Sequence, residues 1–238
     1  MKSSTASEIG LRPDETLDEF MEGRLRVIQS RRGYRFSSDA VLLAEFVSTR
    51  AGDLVVDLGT GCGIIPLVLL LTRPIRHAVG LEIQPDLAGQ AFRNALLNGL
   101  THRMSVIQGD LRHPPIAPFS ADVVVCNPPY RQTSTGRVNP DLQRAIARHE
   151  VLASLDDILG ASRRVLKAGG RLAVIYAAVR LVDLLIRMRG FGLEPKRIKL
   201  IHPAPESDAK LVLVEASAGG RRGVKILPPL TDQGRASF

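Results

Sequence analysis

The stretch Leu54-Val55-Val56-Asp57-Leu58-Gly59-Thr60-Gly61-Cys62-Gly63-Ile64 decides the fold. A short run rich in valine and leucine predicts a strand buried on both faces, as in a parallel sheet. The run stops at glycines in alternate positions, and the apolar residues from Ile64 predict a helix over 63–72. Glycine permits φ > 0 and lets a backbone approach a ligand closely. Such a turn lies outside the carboxyl end of a parallel strand, where doubly wound α/β folds hold their ligands.

The alternation continues outward. Residues 78–83 predict a second strand, and Pro85 opens a helix that stops at Asn98-Gly99. Residues 104–108 and 122–126 predict the third and fourth strands. A helix over 152–166, closed by Lys167-Ala168-Gly169-Gly170, leads to a fifth strand over 171–176 and a helix over 179–189. Residues 197–202 and 211–216 read as two last strands joined by a Pro-rich loop. Upstream, Ser37 and Ser38 are candidate caps for a helix through Val47, and Arg31-Arg32-Gly33 reads as a turn. The pattern over 17–29 fits a helix or a strand equally. The whole predicts a Rossmann-like, doubly wound seven-stranded α/β sheet. Residues 1–22 are expected to be a flexible N-terminal extension, 23–217 a single domain and 218–238 a basic tail.

Composition narrows the class. The 238 residues are 45% hydrophobic and 24% charged, which excludes a disordered, fibrous or disulfide-framework chain. The longest apolar run, residues 64–71, is far shorter than the roughly 20 residues of a membrane helix. No secretory signal is readable at the start, and two cysteines, Cys62 and Cys126, point to a reducing compartment; the expectation is a cytoplasmic protein. The net charge is +8, and its distribution is uneven. Residues 1–22 hold two bases and six acids, 23–50 six bases and two acids, and 151–200 ten bases and four acids, around a nearly neutral block at 51–130. That pattern fits a phosphate-binding rim around a neutral pocket better than a set of solvated helix faces, though charge alone does not decide between them.

Three carboxylates close the strands. Asp57 precedes the glycines, Glu82 ends the second strand with Ile83 beside it, and Asp110 ends the third, followed by Leu111. Glu82 suits the two hydroxyls of a ribose, and Asp110 an amino group of an adenine. A dinucleotide-binding turn has the pattern G-x-G-x-x-G, whereas this one is G-x-G-x-G behind an aspartate. A pyrophosphate would be repelled by Asp57, but the ammonium of an amino acid would not. The loop, with Gly59, Thr60, Gly61 and Gly63, therefore favours S-adenosylmethionine over a nicotinamide dinucleotide.

After the fourth strand comes Asn127-Pro128-Pro129-Tyr130. Two prolines stiffen the turn and remove two donors. The side-chain carbonyl of Asn127 and the backbone carbonyl of Pro128 then form a pair of acceptors suited to an NH₂ group. Tyr130 offers a flat face to a base. Arg131, Arg137, Arg144 and Arg148 follow within 20 residues and are candidate phosphate contacts, with Pro129 and Tyr130 as substrate-binding neighbours. Arg163, Arg164, Lys196, Arg197 and Lys199 are candidates to extend that surface. The five histidines, at 77, 102, 113, 149 and 202, show no metal-ligand spacing, so no metal is expected. Cys62 and Cys126 read as small apolar fillers beside the cofactor.

The order of residues 57–63, Glu82, Asp110 and Asn127-Pro128-Pro129-Tyr130 resembles the class I S-adenosylmethionine-dependent methyltransferases that modify amino groups. Residues 29–44, with Gly33-Tyr34-Arg35-Phe36-Ser37-Ser38-Asp39-Ala40-Val41-Leu42-Leu43-Ala44, and Ala147-Arg148-His149-Glu150 further on, are similar to bacterial tRNA adenine-N6 methyltransferases. The resemblance covers residues 24–217. It implies a last strand that runs antiparallel, S-adenosylhomocysteine as product, and tRNA or another structured RNA as partner. No membrane partner is expected, and the oligomeric expectation goes no further than a monomer or weak dimer. It implies Asn127, Pro128 and Tyr130 as catalytic residues, with Asp57, Gly59, Thr60, Gly61, Gly63, Glu82, Ile83, Asp110, Leu111 and Asn127 around the cofactor. Asp39, with Phe36 beside it, is expected to close that pocket. The implied reaction is methylation of an adenine N6 beside the anticodon. The same tetrapeptide also fits methylation of a glutamine amide in a release factor, of an rRNA guanine N2 or of a DNA adenine. A non-catalytic RNA-binding protein and a dehydrogenase are the readings from other classes.

Overall fold

A computed structural model of the chain describes residues 10–128 and 153–231. Its strands are β1 (Glu15–Phe20), β2 (Leu25–Ser30), β3 (Leu54–Leu58), β4 (His77–Glu82), β5 (Met104–Gln108), β6 (Ala121–Cys126), β7 (Leu166–Ala177), β8 (Leu193–His202), β9 (Leu211–Ala218), β10 (Lys225–Ile226) and β11 (Leu230–Thr231). Its helices are α1 (Ser38–Phe46), α2 (Ile64–Thr72), α3 (Pro85–Leu97), α4 (Leu155–Val165) and α5 (Leu181–Gly190), with a 3₁₀ turn over Ala178–Arg180.

The main sheet runs β10-β8-β9-β7-β6-β3-β4-β5, with β11 also on β8. β3 pairs in parallel with β4 and with β6, and β6 with β7. β9 is antiparallel to both of its neighbours, β7 and β8. The central strands alternate their faces: Val55, Val123 and Val125 enter the core under α1 and α2, while Val56, Leu58, Val124 and Cys126 enter the core under α4 and α5. The α2 sequence is apolar all round because Ile64 to Leu70 are buried on every face, with only its last two residues exposed; Pro66 stands in its first turn, where a missing N–H costs nothing. Among the described residues no helix is long and apolar enough to cross a membrane.

The chain departs from the sequence reading at its ends and at one turn. Residues expected in the N-terminal extension form β1, which pairs along its whole length with β2 through a turn in which Met21, Glu22 and Gly23 all have positive φ. The expected boundary at residue 22 cuts that turn. At the other end, β10 and β11 add to the edge of β8, so the sheet reaches Thr231 and includes part of the expected tail. Lys167-Ala168-Gly169-Gly170, read as a helix stop, belongs to β7, whose register with β6 shifts between Ala121 and Val123.

β4 and β5 lie on one side of β3, and β6 and β7 on the other. The chain thus reverses direction across the sheet between β3 and β6, the position at which an open α/β sheet forms a crevice. Asp57 pairs with Val125, so the glycine turn and Asn127 leave adjacent strands side by side.

Candidate active site

The turn after β3 is fastened to the next strand: Gly59 and Thr60 both donate backbone N–H groups to the Leu81 carbonyl, at 2.8 and 3.0 Å. Gly59, Gly61 and Gly63 have φ of 75°, 57° and 85°, a region that glycine alone enters without strain. Among the described residues, a Cβ at Gly59 would meet nothing within 4 Å, so none of them fills the space over that residue. Gly80, which the sequence reading passed over, seats the loop from below. A Cβ there would lie 2.7 Å from the Thr60 methyl carbon.

Asp57 is fully buried. Its Oδ2 accepts from the Thr60 hydroxyl at 2.7 Å, while its Oδ1 has no partner among the described residues. Burial, against the pull of that hydroxyl bond and reinforced by the nearby Glu82 charge, pushes the Asp57 carboxyl up to about 7. Glu82 is buried too; its Oε2 accepts from Gly61 N–H at 2.9 Å and its Oε1 from Gln84 N–H at 3.0 Å. Each of those oxygens retains a second lone pair. Asp110 is held by Arg112, whose Nε donates at 2.8 Å and whose backbone N–H donates at 2.9 Å, and these bonds keep its carboxyl below the ordinary range. Ile83 and Leu111 are half-buried beside their carboxylates, Leu111 packed on the core under α4.

The donor set fits S-adenosylmethionine. Carboxylates end three consecutive parallel strands, and the deepest, Asp57, has an orphaned buried oxygen beside open backbone. That oxygen wants a hydrogen-bond donor or a cation and repels a phosphate. Among the described residues no group of three or more His, Cys, Asp or Glu side chains could share a metal ion.

Asn127 is half-buried and Pro128 buried at the end of β6. Pro129, Tyr130, Arg131, Arg137, Arg144 and Arg148 lie outside the described residues. Cys126 donates its thiol to the Leu58 carbonyl at 3.1 Å, linking the two strand ends. Burial pushes the Cys62 thiol up to about 12 and the Cys126 thiol well above its ordinary value, so both stay protonated.

Asp39 stands half-buried in the first turn of α1. Phe36 packs edge-on against Phe20 of the hairpin, with ring centroids 4.9 Å apart, and its N–H donates to Gln29 at 3.2 Å. Among the described residues, the aromatic ring that reaches the glycine loop is Tyr34: a Cβ on Gly61 would lie 2.8 Å from its Cε1. The basic residues proposed as one extended surface are divided. Arg163 and Arg164 end α4 beside the start of β6, at the other end of the sheet from Asn127. Lys196 donates to the Arg221 carbonyl, and Arg197 lies over the Phe46 ring and pairs with Glu215, on a strand four places from β3.

Asn94 of α3 was also missed. It is fully buried and bonds to both β2 and the Cys62 carbonyl. The one available signal was an asparagine among the apolar positions of an amphipathic helix.

The sequence profile of the methyltransferase small domain family matches residues 34–186. A tRNA1(Val) (adenine(37)-N6)-methyltransferase of Parabacteroides distasonis is 30% identical over 84% of this chain and 83% of its own length. A protein of the same name from Porphyromonas gingivalis is 30% identical over 83% of this chain and 80% of its own. Among solved structures, a predicted O-methyltransferase of Agrobacterium tumefaciens superposes with a TM-score of 0.67 and 22% identity, over 84% of this chain and 91% of that one. That last likeness is one of fold.

Proposed function

Because the chain belongs to the methyltransferase small domain family, its reaction is S-adenosylmethionine-dependent methyl transfer, and we propose that the acceptor is the N6 amino group of an adenine in tRNA, next to the anticodon. The observation that carries the reading is the adjacency of Asn127 to the glycine loop at the crevice between β3 and β6. The names of the relatives, each an adenine-N6 methyltransferase of a tRNA, agree with it, as does the net charge of +8. We assign the reaction to the cytoplasm, where its polyanionic substrate is made.

The residues divide the work. Asp57 meets the ammonium of the cofactor, Glu82 its ribose hydroxyls and Asp110 its adenine amino group. Asp110 must first exchange some of its bonds to Arg112. When bound, S-adenosylmethionine supplies an electrophilic methyl on a sulfonium and leaves as S-adenosylhomocysteine. Asn127 Oδ1 and the Pro128 carbonyl accept the two hydrogens of the target NH₂. That arrangement turns the nitrogen lone pair out of conjugation and towards the methyl. The amine nitrogen would take the methyl that the bound cofactor supplies, and one amino proton would pass to water. Holding the two reactants in line is worth up to about 7–11 kcal/mol in well-oriented systems. Tyr130 stacks on the flipped base, and Arg131, Arg137, Arg144 and Arg148 hold the flanking phosphates.

The test is methylation with labelled S-adenosylmethionine of unmodified total tRNA, of rRNA and of a release factor, followed by digestion and mass spectrometry. N6-methyladenosine from one tRNA species is the expected result. Label confined to glutamine keeps the acceptor pair and overturns the RNA substrate. Absence of label in all three overturns the proposal.

A further inference from the structure

Tyr34 is 39% exposed, in a polar segment between the hairpin and α1. A tyrosine in such a segment ordinarily points its ring at water. Here the ring lies along the glycine loop: a Cβ on Gly61 would stand 2.8 Å from Cε1, 3.1 Å from Cζ and 3.2 Å from Oη. No side chain fits at residue 61 while Tyr34 holds this position.

The ring is aimed by its neighbours. Arg35 donates to Thr16 Oγ1 at 2.9 Å, to the Ser30 carbonyl at 3.1 Å and to Asp18 Oδ2 at 2.6 Å. On the far side, Phe36 N–H is held by Gln29 Oε1, and the same Gln29 donates to Asp18 at 2.8 Å. Gly33 sits so close to Ser30 that a Cβ there would come within 3.0 Å of the serine Cβ. Both flanks of Tyr34 are thus fixed to the hairpin, while its ring rests on the loop of the main domain. Although the residue as a whole is 39% exposed, its phenol end is withdrawn from water against the loop, and that, together with the charges of Asp57, Glu82 and Asp39, raises the phenol pKa, so the hydroxyl stays a neutral donor near the strand-end carboxylates.

We propose that Tyr34 is the outer wall of the cofactor site, mounted on the N-terminal hairpin, and that it retains bound S-adenosylmethionine by covering the glycine loop at Gly61. This rests on the cofactor reading of that loop. The hairpin thereby acquires a role in cofactor retention, not only in covering α3. An aromatic face lost from a ligand contact weakens binding by about tenfold.

The chain contains no tryptophan, so Tyr34→Trp places a single tryptophan, which can be excited selectively, at the wall. Titration of that variant with S-adenosylhomocysteine should shift or quench its emission. Calorimetric titration should show Tyr34→Ala binding about tenfold more weakly than wild type, with Tyr34→Phe close to wild type, since the ring carries the contact. Arg35→Ala, which leaves the ring in place but removes its mount, should fall between them. Far-ultraviolet circular dichroism and melting temperature establish that each variant is folded. Equal affinity of wild type and Tyr34→Ala, with flat emission from Tyr34→Trp, overturns the wall and leaves the cofactor reading standing. A wild-type chain that takes up no S-adenosylhomocysteine overturns the cofactor reading and the wall together.

Discussion

Asn94 on α3 donates its Nδ2 hydrogens to the carbonyls of Cys62, at 2.9 Å, and Ile28, at 3.1 Å, while its Oδ1 accepts the Ile28 N–H at 2.7 Å. One buried amide thus joins the glycine loop to β2 and has both donors and its carbonyl engaged. Its neighbour one turn on, Asn98, makes the matching pair of bonds to Arg26 N–H and carbonyl, at 3.0 and 2.7 Å. Two asparagine side chains therefore serve β2 as a neighbouring strand would.

The consequence for Asn94→Ala is direct. The substitution strands three buried backbone groups, each costing about 1–3 kcal/mol when unpaired, less what relaxation and water recover. We expect a loss of about 2–4 kcal/mol of stability in denaturant unfolding. We also expect weaker S-adenosylhomocysteine binding, because the Cys62 carbonyl is freed. Asn98→Ala, which touches only the hairpin and its own helix, should lower stability with less effect on the ligand. If both variants alter binding equally, the direct bond to the loop is not what matters.

The hairpin illustrates where the sequence falls short. β3 and its glycines are legible because the pattern is local: a buried parallel strand must be apolar throughout, and the turn must be glycine. β1, with the sequence Glu-Thr-Leu-Asp-Glu-Phe, is mostly polar, and its supports lie far along the chain. Glu15 is buried against Arg93, 78 residues away, and that guanidinium holds its carboxyl down at about 2. Asn94 is 66 residues from Ile28. No window of periodicity contains such pairs. β10 and β11 have two residues each, too few to show an alternation at all. At the candidate site, the positions of Asp57, Glu82, Asp110 and Asn127 were readable because each lies at the end of a strand whose position the alternation predicts. Tyr34 and Gly80 matter only through what they touch, respectively the loop and Thr60, and that contact exists only in the folded chain.

Asp57 gives the unliganded protein a pH dependence of definite sign. Its carboxyl is raised from an ordinary value near 3.8 to about 7 in the folded state. Between those two values the folded chain binds one more proton at this site than the unfolded chain does, so this contribution to stability falls as pH rises through the window and levels off above about 7. Melting temperature without ligand should therefore drop between pH 5 and 7.5 more steeply in wild type than in Asp57→Asn. S-adenosylhomocysteine carries an ammonium and should draw the carboxylate form. Calorimetry near pH 6 in buffers of different ionisation enthalpy should then detect a proton released on binding. Identical melting profiles for the two chains would mean that Asp57 is ionised throughout, with its Oδ1 satisfied by solvent.

The role proposed for Asn127 is one in which chemistry can be separated from cofactor binding. Its proposed task is to accept one hydrogen of the target amine while the Pro128 carbonyl accepts the other, and nothing in that task touches the cofactor's ammonium or ribose ends. Removing one preorganised hydrogen-bonding group of this kind costs about 10²–10³ in rate. Asn127→Ala should lower kcat for methyl transfer to tRNA by about that factor, or more if the turn also shifts. S-adenosylhomocysteine affinity and melting temperature should stay near wild type. Asn127→Asp retains an acceptor oxygen at the same distance from the backbone, adding a charge that an approaching cationic sulfonium tolerates; it should recover part of the lost rate, and more of it above the titration range of the new carboxyl. An Asn127→Ala chain that loses cofactor affinity in parallel with rate would make Asn127 a support of the glycine loop, alongside Cys126 and its bond to Leu58. The acceptor pair would then have to be sought elsewhere in the crevice.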